Sequence, residues 1–436
     1  MMDLLLYSPF ISNRLRYVCD EFLGRRCELN VGITDSVEEY LQSTVSKINY
    51  SENAALPGLQ VIPAGLMKES IKPGSDLNQL SFISKEPELA FLNPGVCERD
   101  FFSEIFFHLS RWEEYGVNDV DHYGRFKAEN AFLYKAGLLD LPVVEIWAQK
   151  LMDELRKVSP HLPGMKRCYR YIPSVDIDNA FAFKHKSLTR TAASTAKDLL
   201  HFRLRNCTRR LNVLIKGKRD PYDTYAQLDS AHARCKERPI YFFLLADEGK
   251  YDRNLPYTNP AIRDLVKTTQ KQYHVGIHPG MSSNQSLHTL EAEKKRLEQL
   301  TGQACTKSRQ HYLYLRFPET YQRLINAGIQ EDYSMGYASQ VGFRAGTCLP
   351  FRFYDLEKEA VTELTVVPFA FMDATLHLYL GLNEQASLEK VQGLVNEIRR
   401  VNGLCMSLWH NETLGGMWHW EQWEQVYSKI VSICES

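Results

Sequence analysis

The sequence predicts an α/β fold in which a barrel of alternating strands and helices follows a smaller mixed α/β domain. The chain has 436 residues, more than one ordinary core accommodates, so two domains are expected. From Cys168 onwards, strand-like and helix-like segments alternate, as they do in a parallel sheet. A segment rich in Pro and Gly at 159–168 separates the two parts. We therefore predict domains at 1–165 and 166–436.

The first domain is predicted from a few short strands and two helices. The segment at 59–64 has the apolar character of a short strand. Between 100 and 116 apolar residues recur at helical spacing, and the terminal Gly of this segment is a plausible helix stop. A second helix is expected at 142–158, with Pro142 at its entrance.

The second domain is predicted from strands and helices that alternate along the chain. In such barrels the chemistry takes place just beyond the carboxyl ends of the strands, and the polar residues of interest lie there. Candidate strands lie at 169–175, 239–246, 273–278, 308–315, 365–372 and 403–410, and candidate helices at 259–270, 288–302, 318–328 and 387–403.

Composition and charge narrow the classes of function. Hydrophobic residues make up 44% of the chain and charged residues 24%, which is typical of a globular protein. The formal net charge of −1 produces no overall field that selects nucleic acid, so no nucleic-acid partner is expected. The first residues lack the basic region and long apolar core of a signal peptide. Because ten Cys occur without CxxC pairs, reduced thiols and a cytoplasmic location are expected.

A long insertion at 184–219 interrupts the alternation between the first and second barrel strands. It carries eleven Lys and Arg residues against one acidic residue, Asp198, and apolar residues are interleaved with them. A basic amphipathic segment of this kind can lie on an anionic membrane surface or hold a phosphate-bearing substrate. The preferred alternative is a solvated surface excursion whose apolar face packs on the domain.

The first candidate functional residues follow the first barrel strand. Asp176 and Asp178 are two residues apart, so their side chains point to the same side of an extended strand. Two carboxylates that point together repel each other unless a cation lies beside them, and a divalent metal would meet this need. One carboxylate would then bind the metal, and the other would remain free as a base. The alternative is a turn, where Asp and Asn are common.

Two further segments place histidines at predicted strand ends. His278 ends the strand at 273–278 and is the better candidate ligand, whereas His274 lies ~13 Å further back on an extended strand and is expected to be structural. Arg309 and His311 are two residues apart on the next predicted strand. His311 could be a third ligand, and Arg309 could pair with a free catalytic carboxylate. Ordinary polar strand ends are the alternative.

The last predicted strand ends in His410, which at that position suits a general acid. Asn411 follows it directly, and the indole rings of Trp409 and Trp418 could stack on the apolar faces of a sugar. A Trp-rich helix packed as core is the alternative. Arg344 lies in a Gly-flanked turn and could contact a substrate anion or a carboxylate, or could simply belong to a loop.

Together these segments resemble NodB-type polysaccharide deacetylases, the family-four carbohydrate esterases. The amino-terminal segments LSRWEEYG and HYGRF also look like the domain that precedes a divergent bacterial branch of that family. The resemblance implies a distorted (β/α)7-type barrel and a divalent metal, with zinc as the family expectation. In chain order, the motifs that carry the resemblance are Asp176-Ile177-Asp178, His278, Arg309 and Leu408-Trp409-His410.

The resemblance also implies a role for each matching residue. Asp176 would be the general base, and Asp178 and His278 would bind the metal. Arg309 would orient Asp176, and His410 would be the general acid.

The sequence departs from the family at one ligand position. The family has a second His four residues after the first, and Ser282 stands there in this chain. Three outcomes remain open: His311 replaces the missing His, a water completes the ligand set, or metal binding is weakened or lost.

The predicted function is a metal-dependent hydrolase that removes N-acetyl groups from an amino-sugar glycan or glycan precursor. Its partner would be the acetylated carbohydrate, with peripheral membrane or phosphate contact through 184–219. One alternative is a metal-free hydrolase acting on a small non-sugar amide. Another is a catalytically inactive barrel that binds a glycan or a protein partner.

Overall fold

The computed structural model describes residues 2–71, 73, 91–92, 95–97 and 99–436. The first part of the chain forms a six-stranded sheet with helices around it. Its strands and helices are β1 (Leu4–Tyr7), α1 (Asn13–Val18), β2 (Val31–Thr34), α2 (Val37–Gln42), β3 (Ser46–Asn49), β4 (Leu59–Val61), β5 (Phe91–Leu92), β6 (Val96–Cys97), α3 (Phe101–Leu109), α4 (Phe132–Lys135) and α5 (Val143–Val158).

The strand order in this sheet is β2-β1-β3-β4-β6-β5, and every neighbouring pair except β5 with β6 is parallel. The two helices predicted in this part are present as α3 and α5. The first is shorter than predicted: α3 ends at Leu109 rather than at Gly116, and Arg111 then turns the chain with a φ of 54°. Asp100 caps α3, because its side chain accepts a hydrogen bond from the amide of Ser103. Pro142 stands immediately before the first residue of α5.

The rest of the chain forms a nine-stranded sheet with helices between most of its strands. These elements are β7 (Arg170–Ile177), α6 (Leu188–Leu200), α7 (Leu204–Leu214), α8 (Tyr225–His232), β8 (Ile240–Phe243), α9 (Pro260–Gln272), β9 (His274–Ile277), α10 (Leu287–Thr301), β10 (Lys307–Ser308), α11 (Glu319–Asn326), β11 (Glu331–Met335), β12 (Phe351–Asp355), β13 (Ala360–Pro368), β14 (Phe371–Met372), α12 (Glu384–Arg400), β15 (Leu404–His410) and α13 (Trp423–Glu435).

The strand order in this sheet is β12-β13-β11-β10-β9-β8-β7-β15-β14. All neighbours are parallel except β12, which pairs antiparallel with β13 at one edge. The predicted α/β class is therefore confirmed, with a nine-stranded sheet where the resemblance implied seven strands. Because the parallel strands share one direction, the carboxyl ends of β7, β9, β10 and β15 meet at the same edge.

One predicted strand is much shorter than expected. The segment at 308–315 was expected to be extended, but β10 ends at Ser308 and a 3-10 turn follows at His311–Leu313. Tyr312 and Leu313 have φ values of 60° and 56°, which turn the chain out of the sheet. Arg309 and His311 therefore lie in a loop just beyond the sheet edge rather than on a strand.

The two parts of the chain share one hydrophobic core. A single cluster of buried side chains includes Leu6 and Phe106 from the first part and Val175 and Phe353 from the second. Buried polar contacts also join the parts. The side chain of Arg344 is paired with Glu114 and donates from Nε to a carboxylate oxygen at 2.9 Å. The division into domains at 1–165 and 166–436 remains a prediction.

Within the described residues, the helices are too short or too polar to cross a membrane. All ten cysteines are free, and seven of them are buried. Buried free thiols agree with the expectation drawn from the absence of paired CxxC motifs.

Candidate metal centre and active site

The candidate residues converge where four parallel strands end. Asp176 lies on β7 and is aligned with His410 on the neighbouring strand β15. Asp178 is the first residue after β7, and His278 is the first residue after β9. The alternation of an extended strand gives Asp176 and Asp178 a common side, as the sequence predicted. Parallel strand order therefore gathers residues that are more than 200 positions apart in the chain.

Asp178, His278 and His311 form a group whose potential ligand atoms all lie within 4.8 Å of one another. The Nε2 atom of His278 is 3.2 Å from one carboxylate oxygen of Asp178. The Nε2 atom of His311 is 3.4 Å from the other oxygen. One carboxylate and two imidazoles are a common ligand set for zinc and other divalent ions. The structure thus brings together the three predicted metal ligands.

The second nitrogen of each histidine is already engaged. The Nδ1 atom of His278 lies 2.6 Å from the carbonyl oxygen of Arg309, which can only accept a hydrogen bond. The Nδ1 atom of His311 lies 2.7 Å from a carboxylate oxygen of Asp252. These contacts place a proton on each Nδ1, so each Nε2, which faces Asp178, is the atom that would bind a metal. This is the orientation in which imidazoles bind a metal.

The Asp178 carboxylate indicates that the cluster needs a positive charge. One of its oxygens is buried without a hydrogen-bond partner, a costly state for a charged group. Burial opposes ionisation of Asp178, but nearby His311 and His278 outweigh it and hold its pKa well below the usual range. Burial likewise opposes the charge on His311, but Asp178 and Asp252 raise the pKa of His311 to about 9. A proton on His311 thus places a positive charge beside Asp178, as a bound divalent cation would.

Asp176 is held in place by Arg309. The guanidinium of Arg309 donates to one oxygen of Asp176 at 2.9 Å, and both side chains are almost fully buried. The Nε atom of Arg309 also donates to the carbonyl of Tyr333 at 2.9 Å, and the guanidinium lies 4.5 Å from the centre of the Phe242 ring. The second oxygen of Asp176 lies 3.8 Å from Nε2 of His278 and faces the metal cluster. Arg309 thus fixes one oxygen of Asp176 and leaves the other available.

His410 is held beside the cluster by Asp373. Its Nδ1 atom is 2.8 Å from a carboxylate oxygen of Asp373, whose other oxygen accepts from Thr413 at 2.9 Å. The Nε2 atom of His410 lies 3.9 Å from Asp178. Burial opposes protonation, but Asp373 outweighs it and raises the pKa of His410 to about 10. His410 therefore carries a proton at neutral pH and directs it towards the cluster.

A cavity of about 200 Å³ opens above these groups. Tyr312, Tyr379 and Leu378 form part of its wall, and Arg125 reaches it from the first part of the chain. Arg125 is held there because it donates to the carbonyl of Tyr312 at 2.9 Å and to Asp121 at 2.7 Å. The wall thus combines aromatic, apolar and cationic surface around the candidate catalytic groups.

Glu412 lies at the edge of this cluster. One of its carboxylate oxygens accepts a hydrogen bond from Asn179 at 2.8 Å. Burial, followed by the negative charge of Asp178, raises the pKa of Glu412 to about 7. The side chain therefore changes its charge near neutral pH, next to the candidate general acid.

Ser282 and His274 lie outside the cluster. Ser282 is exposed in the 3-10 turn that follows His278, and His274 is exposed at the start of β9. The expectation that His274 is structural agrees with this position. Of the three outcomes left open for the missing ligand, the structure favours His311, which lies where a second imidazole can face Asp178.

Four residues proposed to bind substrate do not line the cavity. Trp409 is fully buried against Trp423 and Tyr427, so its indole has no free face for a sugar. Asn411 is fully buried and donates to the carbonyls of Asn179 and Tyr222. Arg344 is buried and paired with Glu114. Trp418 is half-exposed but lines a separate groove beside α6 and α7. The first three are structural residues in this fold.

Three of the charged residues that the sequence analysis did not identify hold or line the site. Asp252 lies in the loop after β8, where nothing in the local sequence marks it. Arg125 comes from the first part of the chain, and its approach to the cavity depends on how the two parts pack. Asp373 directly follows β14. The rule that identified Asp178 and His278, a polar residue just after a strand, would have found Asp373 too.

Residues 4–160 match the model of a family of unknown function, DUF7033. No curated protein sequence matches the chain. The solved structure of a proposed polysaccharide deacetylase from Mycobacterium smegmatis aligns with 62% of this chain and 85% of its own, at 11% identity and a TM-score of 0.41.

A GH138 enzyme targeting pectin rhamnogalacturonan II aligns with 98% of this chain and 50% of its own, at 10% identity and a TM-score of 0.27. At such TM-scores the similarity does not specify an activity. The chemistry of the site is therefore the basis for a functional assignment.

Proposed function

We propose that the protein is a metal-dependent hydrolase that removes N-acetyl groups from an amino-sugar glycan or glycan precursor. The observation that carries this proposal is the convergence of Asp178, His278 and His311 at an open cavity that Asp176 and His410 also line. A carboxylate and a protonated imidazole beside a metal cluster are the groups that hydrolysis of an amide requires.

Asp178, His278 and His311 would hold the cation. The fit rests on one buried oxygen of Asp178 that makes no hydrogen bond, and on two imidazoles whose Nε2 atoms each face one oxygen of this carboxylate. A divalent cation bound there would polarise the amide carbonyl and lower the pKa of water to ~7. Zinc suits this mixed nitrogen and oxygen set, and other divalent ions are also compatible with it.

Asp176 has the position of a general base. Arg309 occupies one of its oxygens, and the free oxygen faces the metal cluster, where it can accept a proton from an attacking water. Arg309 also restricts rotation of the side chain, so the free oxygen stays in a fixed position.

His410 has the position of a general acid. Asp373 fixes the ring through Nδ1 and stabilises the protonated form, so Nε2 carries a proton that can be donated into the cavity. The departing group in amide hydrolysis is an amine, which has to be protonated as the C–N bond breaks. The products would be acetate and a free amino sugar.

The cavity wall supports a sugar as the substrate. The ring of Tyr379 is 45% exposed and offers a flat apolar face with a hydroxyl at one end, which suits a ring that carries both C–H faces and hydroxyl groups. Arg125 adds a positive charge for a polar or anionic substituent. Because all ten cysteines are free, we also propose that the protein works in a reducing, cytoplasmic environment.

The test is acetate release from N-acetylated chito-oligosaccharides by the purified protein. We expect activity that a chelator abolishes and zinc restores, and that is lost in Asp178→Asn. Asp153→Asn is the matched control, because Asp153 is exposed on α5. Activity that survives complete metal removal would refute the proposal and favour the metal-free amide hydrolase. Absence of acetate release from a fully metal-loaded protein would refute the assigned substrate.

A further inference from the structure

Two helices inserted between β7 and β8 expose an unusual amount of apolar surface. Of 18 exposed large hydrophobic residues among the described residues, eight lie between Leu188 and Ile215 on α6, α7 and the turn that joins them. Phe202, in that turn, is 88% exposed. A concentration of this size on a protein surface marks an interaction site. The residues that carry the argument are Leu199, Leu200, Phe202, Leu204, Leu211 and Ile215.

The exposed apolar side chains follow helical spacing along α7 and also occur in the turn before it. Leu204, Leu211 and Ile215 are spaced seven and four residues apart, so they lie along one face at and just beyond α7. Leu199 and Leu200 end α6, and Phe202 follows after one further residue, so apolar residues continue through the turn. The apolar residues therefore form a stripe along α7 that ends at the tip of the hairpin.

The two helices of the hairpin are paired with each other, and the side of α7 that carries Val213 packs on the rest of the protein. Arg210 on α7 pairs with Asp198 on α6 at 2.6 Å, which joins the two helices. Val213 is buried in a small core with Phe183 and Tyr222. The exposed stripe is thus the outer face of an ordered amphipathic element. The sequence predicted that the apolar face of the insertion packs on the domain. Val213 does so, whereas the residues of the exposed stripe do not.

The charge of the same segment points to one kind of partner. Residues 184–219 carry eleven Lys and Arg against one Asp, whereas the whole chain has a net charge of −1. Lys197, Arg203, Arg205 and Lys216 are exposed beside the apolar stripe. A second copy of the hairpin would bring like charges together, and nucleic acid offers little apolar surface for the stripe. An anionic lipid surface complements both features, because basic residues meet its phosphates and apolar residues enter the headgroup boundary.

We propose that the α6–α7 hairpin docks the protein on an anionic lipid bilayer, with Phe202 and the apolar stripe inserted at the headgroup level. A groove of about 310 Å³ beside the hairpin supports this orientation. Lys186, Arg190, Arg203 and Arg253 line it together with Asn179, the residue after Asp178. If the proposed function holds, a lipid-linked amino sugar would extend from the bilayer along this cationic groove towards the site.

The test is co-sedimentation with vesicles, which does not depend on catalytic activity. We expect the wild type to bind vesicles of phosphatidylcholine and phosphatidylglycerol much better than vesicles of phosphatidylcholine alone, and increasingly weakly as salt is added. Leu200→Ser with Phe202→Ser should lower the partition coefficient by about tenfold or more. Lys216→Gln should lower it by about fivefold. Val158→Ser is the matched control, because Val158 is 77% exposed on a different surface, and it should bind as the wild type does.

Two results would overturn the proposal. One is that the wild type stays in the supernatant in the presence of anionic vesicles. This result would overturn the proposal even if the protein were found to self-associate through the hairpin. The other is equal binding by the wild type and the Leu200→Ser, Phe202→Ser variant. All of these substitutions are at exposed positions, and circular dichroism would verify that each variant is folded. A failure here leaves acetate release untouched, so it is distinguishable from a failure of the proposed hydrolase function.

Discussion

Asp252 provides a sharp prediction, because it touches the candidate metal centre only through His311. Its carboxylate lies 2.7 Å from Nδ1 of His311 and also accepts from the amide of Met281 at 3.1 Å. Asp252→Asn keeps the size of the side chain and an oxygen acceptor but removes the negative charge. His311 would then be a less basic ligand and less firmly oriented.

The expected effect is a loss of metal affinity of ~10–100-fold, the usual result of changing a group that orients a metal-binding histidine. In free energy this is about 1.4–2.7 kcal/mol, since each factor of ten corresponds to ~1.36 kcal/mol. The measurement is a zinc titration in competition with a chromophoric chelator, with the fold of each variant checked by circular dichroism. Because Asp252 is not itself a proposed ligand, the variant should still bind one metal.

Asp247→Asn is the matched control. Asp247 lies in the same loop, and its exposed side chain pairs with Arg296 at 2.8 Å. We expect its zinc affinity to stay within about twofold of the wild type, because exposed ion pairs contribute little. Unchanged affinity in Asp252→Asn, or an equal loss in both variants, would refute the orientation assigned to His311.

The remaining predictions concern the proposed base, the proposed acid and a buried carboxyl. Asp176→Asn should lower kcat for acetate release by ~10²–10⁴-fold while metal content stays at the wild-type level, and full activity would remove Asp176 as the base. His410→Gln should lower kcat by a similar ~10²–10⁴-fold, and an unchanged rate would remove His410 as the acid. Burial raises the pKa of Glu293 from 4.5 to about 7, so its favourable contribution to stability is complete below pH 4.5 and is lost as the pH rises through 7. We therefore expect Glu293→Gln to be more favourable for stability at pH 8 than at pH 4. The change in the free energy of unfolding that it causes should differ between the two pH values by up to about 3 kcal/mol. Urea titrations at both pH values would measure this difference, and the absence of a difference would contradict the prediction.

Strand periodicity predicted much of the site. Polar residues at the carboxyl ends of parallel strands meet at one edge of the sheet, and this rule identified Asp176, Asp178 and His278. The identification needed only the local sequence pattern and the parallel arrangement of the strands. The same periodicity argues against Trp409 as a sugar contact. Neighbouring residues on a strand face opposite sides, so Trp409 has to point away from the side that His410 faces.

The parts that the sequence did not predict depend on long-range packing. The buried partner of Arg344 is Glu114, 230 residues earlier in the chain, and a Gly-flanked turn gives no sign of this pairing. Asp252 acts through a loop whose path is set by its contacts with Met281 and His311. His311 was expected on a strand, and a turn at positive φ brings it to the cluster instead. Its residue type suggested a ligand, but the backbone that positions it was not predictable from periodicity.

The most direct test of the central claim is the metal content of the purified protein, measured by elemental analysis. The account predicts about one divalent metal per chain in the wild type and in Ser282→Ala, because Ser282 is exposed and lies outside the cluster. His278→Ala and His311→Ala should each retain little or none. A wild type that stays free of metal after reconstitution, or alanine variants that retain full occupancy, would contradict the claim that Asp178, His278 and His311 form a metal centre.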